Sequence, residues 1–212
     1  MLGSAIATER RAQLAECAVA VAGRDGVEAA TADAVAHEAG LPTEAVRDCF
    51  ETEDSLLEAM SEALIREIGE SVQAAFADVD LVGDESGSRG LRILLHNALS
   101  RIWSVIESAP ERNVLLREIT AYSLRRQLTR DAQDCAAVRQ YRLMDTLATA
   151  FLEEAARRTG TIWLEPVSAI AQFGEALLDG LVGRWLVDRS SETMIIQLDD
   201  LAGIIAAKAV PA

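Results

Sequence analysis

Apolar residues recur every three or four positions along most of the 212-residue chain, which is the spacing of one buried helix face. The first such stripe includes Leu14, Cys17 and Val21, and it predicts a helix from about Thr8, as N-cap, to Arg24. No stretch shows the alternation of apolar and polar residues that is typical of a strand. The pattern therefore predicts an all-α protein of about nine helices.

Two short helices and a long one follow the first. The pattern predicts a helix at 31–39, ended by Gly40, and a second at 42–49 with proline in its first turn. Thr52, with Ser55 three positions later, predicts the capped start of a long helix at 52–77. Two short helices around a glycine turn, packed on a third, form a helix-turn-helix.

The rest of the chain predicts a polar, glycine-rich surface loop at 78–90 and five more helices. These helices are expected at 91–108, 111–128, 132–159, 165–188 and 191–207. We expect two domains: a helix-turn-helix domain at 1–52 and a larger helical domain at 53–212.

The helix order and one motif resemble the TetR family of bacterial transcriptional regulators. The residues that match the family's helix-turn-helix pattern are Thr31, Val35, Ala36, Ala39, Gly40, Leu41, Phe50 and Leu56. The resemblance implies a DNA-binding head, an effector cavity between the middle helices, and a homodimer formed by the last two helices. The implied effector is a small apolar or amphipathic molecule.

The departures from the pattern fall on positions that touch DNA in the family. Glu44 replaces the turn glycine, Arg47 and Cys49 replace two tyrosines, and Glu53 replaces a lysine that meets phosphate. Six acidic residues and one arginine lie between Gly40 and Met60. Because basic side chains supply most sequence-independent affinity for DNA, this surface is poorly matched to phosphate.

The candidate DNA-contacting residues are therefore a mixed set of bases, hydroxyls and acids: Arg10, Arg11, Thr31, Thr43, Glu44, Arg47, Asp48 and Glu53. One hypothesis is a ligand-responsive regulator with impaired or atypical DNA binding, which could act through a protein partner. The alternative is an ordinary repressor that binds a palindromic operator and is released by a small-molecule effector. Several of the acids could also point away from DNA or pair with Arg24 and Arg47.

Charge is unevenly distributed along this acidic chain, whose formal net charge is −14. Four arginines face twelve acidic residues in 1–60, whereas 111–142 holds seven arginines and four acidic residues. We expect the basic segment to lie away from the helix-turn-helix, as a solvated face or as a site for an acidic partner or anionic ligand.

Candidate residues in the larger domain belong to two sets. Those of the effector pocket are His96, Leu99, Trp103, Tyr122, Leu147, Phe151 and Phe173, with Asn97 and Asp145 as further polar groups. Those of the dimer interface are Ile170, Gly174, Leu177, Leu181, Trp185, Ile196, Leu201 and Ile204. Both sets could instead be ordinary core.

The remaining chemistry is sparse. Cys17, Cys49 and Cys135 are isolated, and His37 and His96 have no ligand-spaced neighbours, so we expect no metal and no cofactor. No nucleophile motif or phosphate-binding loop indicates an enzyme. The N-terminus lacks the pattern of a signal peptide, and we expect a cytoplasmic protein.

Overall fold

The computed structural model describes residues 2–77, 86–130 and 135–212, and most of these residues are helical. The helices are α1 (Leu2–Asp25), α2 (Ala32–Ala39), α3 (Thr43–Cys49), α4 (Glu53–Ala77), α5 (Gly87–Ser108), α6 (Pro110–Arg130), α7 (Ala136–Thr159), α8 (Val167–Asp188) and α9 (Ser191–Ala206). A 3-10 turn at Val27–Ala29 follows α1. The prediction of an all-α protein is confirmed.

Two predicted boundaries were wrong. The first helix begins at Leu2, so Thr8 lies inside it rather than capping it. α5 begins at Gly87, so the end of the predicted surface loop is helical. The other part of that loop, 78–85, lies outside the described residues, as does the predicted start of α7 at residue 132.

The sequence pattern also missed a short two-stranded sheet. Strand β1 (Thr161–Trp163) pairs antiparallel with β2 (Ala209–Pro211), and Ile162 lies opposite Val210. The indole of Trp163 donates to the Leu152 carbonyl at 3.2 Å. A strand of three residues is too short to show an alternating pattern of apolar and polar residues. Its pairing also depends on a segment that is distant in the sequence.

The chain divides into two compact units. Unit 1 comprises Met1–Arg66 and Ala109–Arg142, and its core joins α1–α4 to α6 and the start of α7. Val35, Val46 and Ile119 are fully buried in that core. The helix-turn-helix therefore does not have a separate core, because residues of α6 complete it. The predicted boundary at residue 52 falls inside unit 1 and stays a prediction about function.

Unit 2 comprises Glu67–Ser108 and Leu143–Ala212. One cluster packs leucines of α5 against Leu201 and Ile205 of α9. In a second cluster the rings of Trp103 and Trp185 meet edge to face, with their centroids 4.7 Å apart. None of the described helices combines the length and the apolarity that crossing a membrane requires.

Candidate nucleic-acid interface

The turn between α2 and α3 is fixed by backbone and capping contacts. The Thr31 hydroxyl accepts a hydrogen bond from the Ala34 amide at 3.2 Å and caps α2. Gly40 ends α2 with a φ of 65°, a left-handed conformation that favours glycine. The Leu41 amide then donates to the Ala36 carbonyl at 2.9 Å. These contacts hold α3 at a defined angle to α2.

The exposed face of α3 carries both signs of charge. Val46 is buried and Phe50 closes the core behind the helix, whereas Glu44, Arg47 and Asp48 are exposed. Their spacing of three and four residues places them on one side of the helix. Glu51, just beyond α3, is exposed as well. Glu44, Arg47 and Asp48, the three exposed charged residues on this side of α3, are called the reading face; Glu51 is not part of it.

The Arg11 side chain forms hydrogen bonds within unit 1, although we expected it to contact a DNA phosphate. Its guanidinium donates to the Cys49 carbonyl at 3.0 Å and to the Ser55 carbonyl at 3.2 Å. It also lies over the Phe50 ring, 4.7 Å from the centroid. Arg11 thus ties the end of α3 to the first turn of α4, while Arg10, also on α1, is exposed.

Three acids at the start of α4, Glu53, Asp54 and Glu58, form a group that we call the α4 acidic edge. The Glu53 carboxylate accepts from the Tyr122 hydroxyl at 2.7 Å and lies 2.6 Å from Arg126. Arg126 also lies 4.0 Å from the Asp54 carboxylate. Arg139 lies 2.8 Å from the Glu58 carboxylate.

This arrangement corrects the expected position of the basic segment. Arg126 on α6 and Arg139 on α7 lie against the first two turns of α4, not away from the helix-turn-helix. Arg112, near the start of α6, lies 3.8 Å from Glu16 of α1. The arginine-rich segment therefore neutralises acidic side chains of α1 and α4 in the same chain.

Buried polar contacts reinforce the same packing. Gln140 is buried, and its side-chain carbonyl accepts from Ser61 at 3.3 Å and from Thr120 at 3.0 Å. The Ser123 hydroxyl accepts from the Ala137 amide at 3.0 Å. Since buried polar groups are costly to leave unpaired, these contacts specify how α4, α6 and α7 pack.

The acids predicted to oppose DNA therefore belong to two groups. Glu44, Asp48 and Glu51 remain on the exposed surface, but Glu53 is bound to α6. Arg47 lies 3.7 Å from Asp33, and both side chains are largely exposed. Arg24 pairs with Asp25 and Glu38 at 3.1 Å each. Intramolecular pairing thus reduces the acidic charge that the sequence alone indicates.

Comparison with solved structures identifies the fold. A TetR-family transcriptional regulator from Streptomyces coelicolor matches with a TM-score of 0.61 at 16% identity, over 94% of this chain and 80% of that one. FadR from Bacillus subtilis, solved with stearoyl-CoA, matches with a TM-score of 0.61 at 12% identity, over 92% and 97%. The chain has the TetR fold.

A sequence relative agrees with this fold assignment. The nicotine-responsive repressor HdnoR of Paenarthrobacter nicotinovorans, an HTH-type transcriptional repressor, is 33% identical over 107 residues. The match spans about half of each chain, 50% of this one and 50% of the relative. No protein-family model matches the sequence. The predicted resemblance to the TetR family is confirmed.

Tyr122 belongs to a different unit from the other predicted pocket residues. It belongs to unit 1, where its hydroxyl binds Glu53, and that hydrogen bond, followed by burial, raises the pKa of Tyr122. Tyr122 therefore supports the head. The other six residues of the set belong to unit 2.

Those six residues occupy different surroundings. Trp103 is buried, Leu99 and Phe151 pack against core clusters, and Leu147 is half-buried. His96 Nδ1 lies 3.3 Å from the Asp199 carboxylate. Phe173 is exposed, and the Lys208 ammonium lies 5.1 Å from its ring centroid. A pocket formed by this set stays a prediction.

Unit 2 also contains a carboxyl pair that includes Asp145. The Gln172 side chain donates to Asp145 at 2.9 Å. Burial, with the nearby Asp145 carboxylate as second cause, raises the pKa of Glu175 to about 8. Burial disfavours the charged carboxylate and the like charge of Asp145 adds to this effect, so the neutral form of Glu175 is favoured at neutral pH. Sequence spacing did not indicate this pair, since its members lie on different helices.

The predicted dimer residues include some that this chain already buries. Ile170, Trp185 and Leu201 are buried in the core of the single chain, and their place in a dimer interface stays a prediction. Gly174 faces Ile205, 3.4 Å from where a Cβ would lie. Leu177 and Leu181 are half-buried. By contrast, Ile196 is 65% exposed and Ile204 is 47% exposed. Helical periodicity showed which residues are apolar but not which helix face the chain itself covers.

The ion pairs of the α4 acidic edge predict a stability difference between neighbouring arginines. Arg126→Gln removes the pair with Glu53, so we expect the free energy of unfolding to fall by about 1 kcal/mol. Arg125→Gln, at an exposed position one residue earlier, is the matched control and should change it by less than about 0.5 kcal/mol. Equal effects in urea denaturation would contradict the role assigned to Arg126.

The raised pKa of Glu175 predicts a pH-dependent stability. The neutral carboxyl contributes its full stability below the ordinary pKa of 4.5, and this contribution is lost as pH rises through about 8. Glu175→Gln stays neutral, so we expect its Tm to match the wild type near pH 5 and exceed it near pH 9. Glu192→Gln, an exposed position on α9, is the control. A Tm difference independent of pH would contradict this prediction.

Proposed function

We propose that the protein is a homodimeric, ligand-responsive transcriptional regulator whose contact with DNA is atypical, because it relies more on base edges than on phosphates. The pairing of the α4 acidic edge with α6 and α7 is the observation that carries this proposal. It removes three carboxylates from the charge that would otherwise repel DNA. The TetR fold and the relationship to a repressor support the regulatory role.

The charges left on the exposed surface explain why the contact is atypical. Arg47 and Arg10 are exposed, but on the reading face Glu44 and Asp48 outnumber Arg47, and Glu51 adds a further exposed acid just beyond α3. A helix in the major groove presents its side chains to base edges, whereas flanking positions meet phosphate. Because few cations lie at those flanking positions, we expect weak non-specific binding to DNA. Contacts with base edges would then contribute a larger part of the affinity for DNA.

The dimer is proposed to form through exposed apolar residues of α8 and α9. Phe173, Val187, Ile195, Ile196 and Ile204 are all exposed in the single chain. Helices α8 and α9 contact each other, so these exposed apolar side chains lie on neighbouring helices. Binding of a second copy of the chain would bury them, which is energetically favourable. Two copies supply the two heads that a palindromic site needs.

The proposed effector is a small apolar or amphipathic molecule bound in unit 2. The name of the relative describes a response to nicotine, and the FadR structure contains stearoyl-CoA. These ligands differ widely, so the comparison supports a small-molecule response but not one compound. We propose that the regulator acts in the cytoplasm, where its DNA lies.

A second candidate function is regulation through a basic protein partner without DNA contact. The exposed carboxylates of Glu44, Asp48 and Glu51 favour this reading, since they would attract such a partner. An ordinary repressor with strong phosphate contacts is the third. The three candidates differ in whether DNA is bound and in how the complex responds to salt.

A mobility-shift titration with DNA from upstream of the protein's own gene tests the proposal. At about 50 mM salt, where screening is weak and cationic contacts with phosphate contribute most to affinity, we expect a discrete complex of one dimer. Absence of any complex, together with recovery of a basic protein on co-purification, would overturn DNA binding in favour of the second candidate.

Ile196→Glu provides the dimer control for that titration. A charge at this exposed apolar position should dissociate the dimer, measured by sedimentation, and weaken operator binding. Leu124→Glu, at an exposed apolar position of α6, is the matched variant and should leave the mass unchanged. A dimeric Ile196→Glu protein would place the interface elsewhere.

A further inference from the structure

We infer that the reading face selects G·C base pairs, with Glu44 and Asp48 accepting hydrogen bonds from cytosine amino groups and Arg47 donating to guanine. This inference rests on the proposed DNA-binding function and names the sequence class that it recognises. The acids of α3 then determine which base pairs are bound, in addition to repelling the phosphates of DNA.

The three side chains share the exposed side of α3, the second helix of the helix-turn-helix, which is the one that enters the major groove in this motif. Glu44, Arg47 and Asp48 are exposed on one side of α3, while fully buried Val46 anchors the other side. Thr31, Gly40 and the Arg11 contacts fix the ends of α2 and α3. The reading face therefore belongs to a helix held firmly by its own unit.

The chemistry of a carboxylate narrows what it can meet in the major groove. An ionised carboxylate only accepts hydrogen bonds, so it repels the acceptor atoms of guanine and thymine. Adenine offers an amino group but places the N7 acceptor beside it. Cytosine presents its N4 amino donor alone on that edge. Two exposed carboxylates on the reading face therefore favour cytosine over the other three bases.

Arg47 complements this preference. Its guanidinium suits a bidentate contact with guanine O6 and N7. In the free chain it lies 3.7 Å from the Asp33 carboxylate, and both side chains are largely solvent-exposed. Such an exposed pair is weak, so guanine can replace Asp33 as the acceptor. An arginine three residues from Glu44 and adjacent to Asp48 thus reads the purine of a neighbouring G·C pair.

Selection from a library of randomised duplexes tests the inference. We expect wild-type protein to enrich a palindrome whose half-sites contain cytosine at a position that Asp48→Asn changes to adenine, because asparagine pairs with adenine N6 and N7. Glu44→Gln should shift another position in the same way. Glu51→Gln, exposed beyond the end of α3, is the control and should leave the enriched sequence unchanged.

The outcomes separate the inference from the function on which it rests. A palindrome without cytosine at the shifted positions, or one unchanged by Asp48→Asn and Glu44→Gln, would overturn the inference while DNA binding stands. No enrichment by wild-type protein would overturn both. Circular dichroism melts of each variant show whether it is folded.

A base analogue gives an independent readout at one atom. Replacing the selected cytosine by pyrimidin-2-one removes the N4 amino group, and wild-type affinity should fall roughly fivefold to 100-fold. The same replacement should have little effect on Asp48→Ala, which has no acceptor there. Equal losses for both proteins would show that Asp48 does not contact this amino group.

Discussion

The position of the helix-turn-helix depends on the contact between the first turn of α4 and helix α6. Tyr122 and Arg126 both reach the Glu53 carboxylate, at 2.7 Å and 2.6 Å. A carboxylate held by a hydroxyl and a guanidinium is a charge-assisted contact, stronger than a neutral hydrogen bond. Because α3 is tied to α4 through Arg11, this contact also sets where the reading face lies within unit 1.

That contact changes the meaning of the acidic composition. Glu53, Asp54 and Glu58 neutralise arginines of α6 and α7, so much of the head's negative charge serves to join helices. Part of the charge that stays exposed, on Glu44 and Asp48, lies on α3, and the side chains of such a helix approach base edges. Weak attraction to phosphate and selective recognition of bases are therefore compatible in one head.

Local signals predicted much of the fold but not the charge pairing. Thr31, Gly40 and the Thr52–Ser55 pair predicted helix ends correctly, because capping depends on residues a few positions apart. Arg126 and Glu53 are separated by more than 70 positions, and only tertiary packing brings them together. For the same reason, periodicity could not separate buried Ile170 from exposed Ile196.

The salt dependence of DNA binding tests the central claim most directly. The logarithm of the binding constant falls with the logarithm of salt concentration, with a slope near −0.9 for each phosphate neutralised. Between 50 and 200 mM salt, a base-weighted contact predicts a specific complex with a slope shallower than about −4. A slope of about −6 or steeper would show extensive phosphate contact and contradict the account.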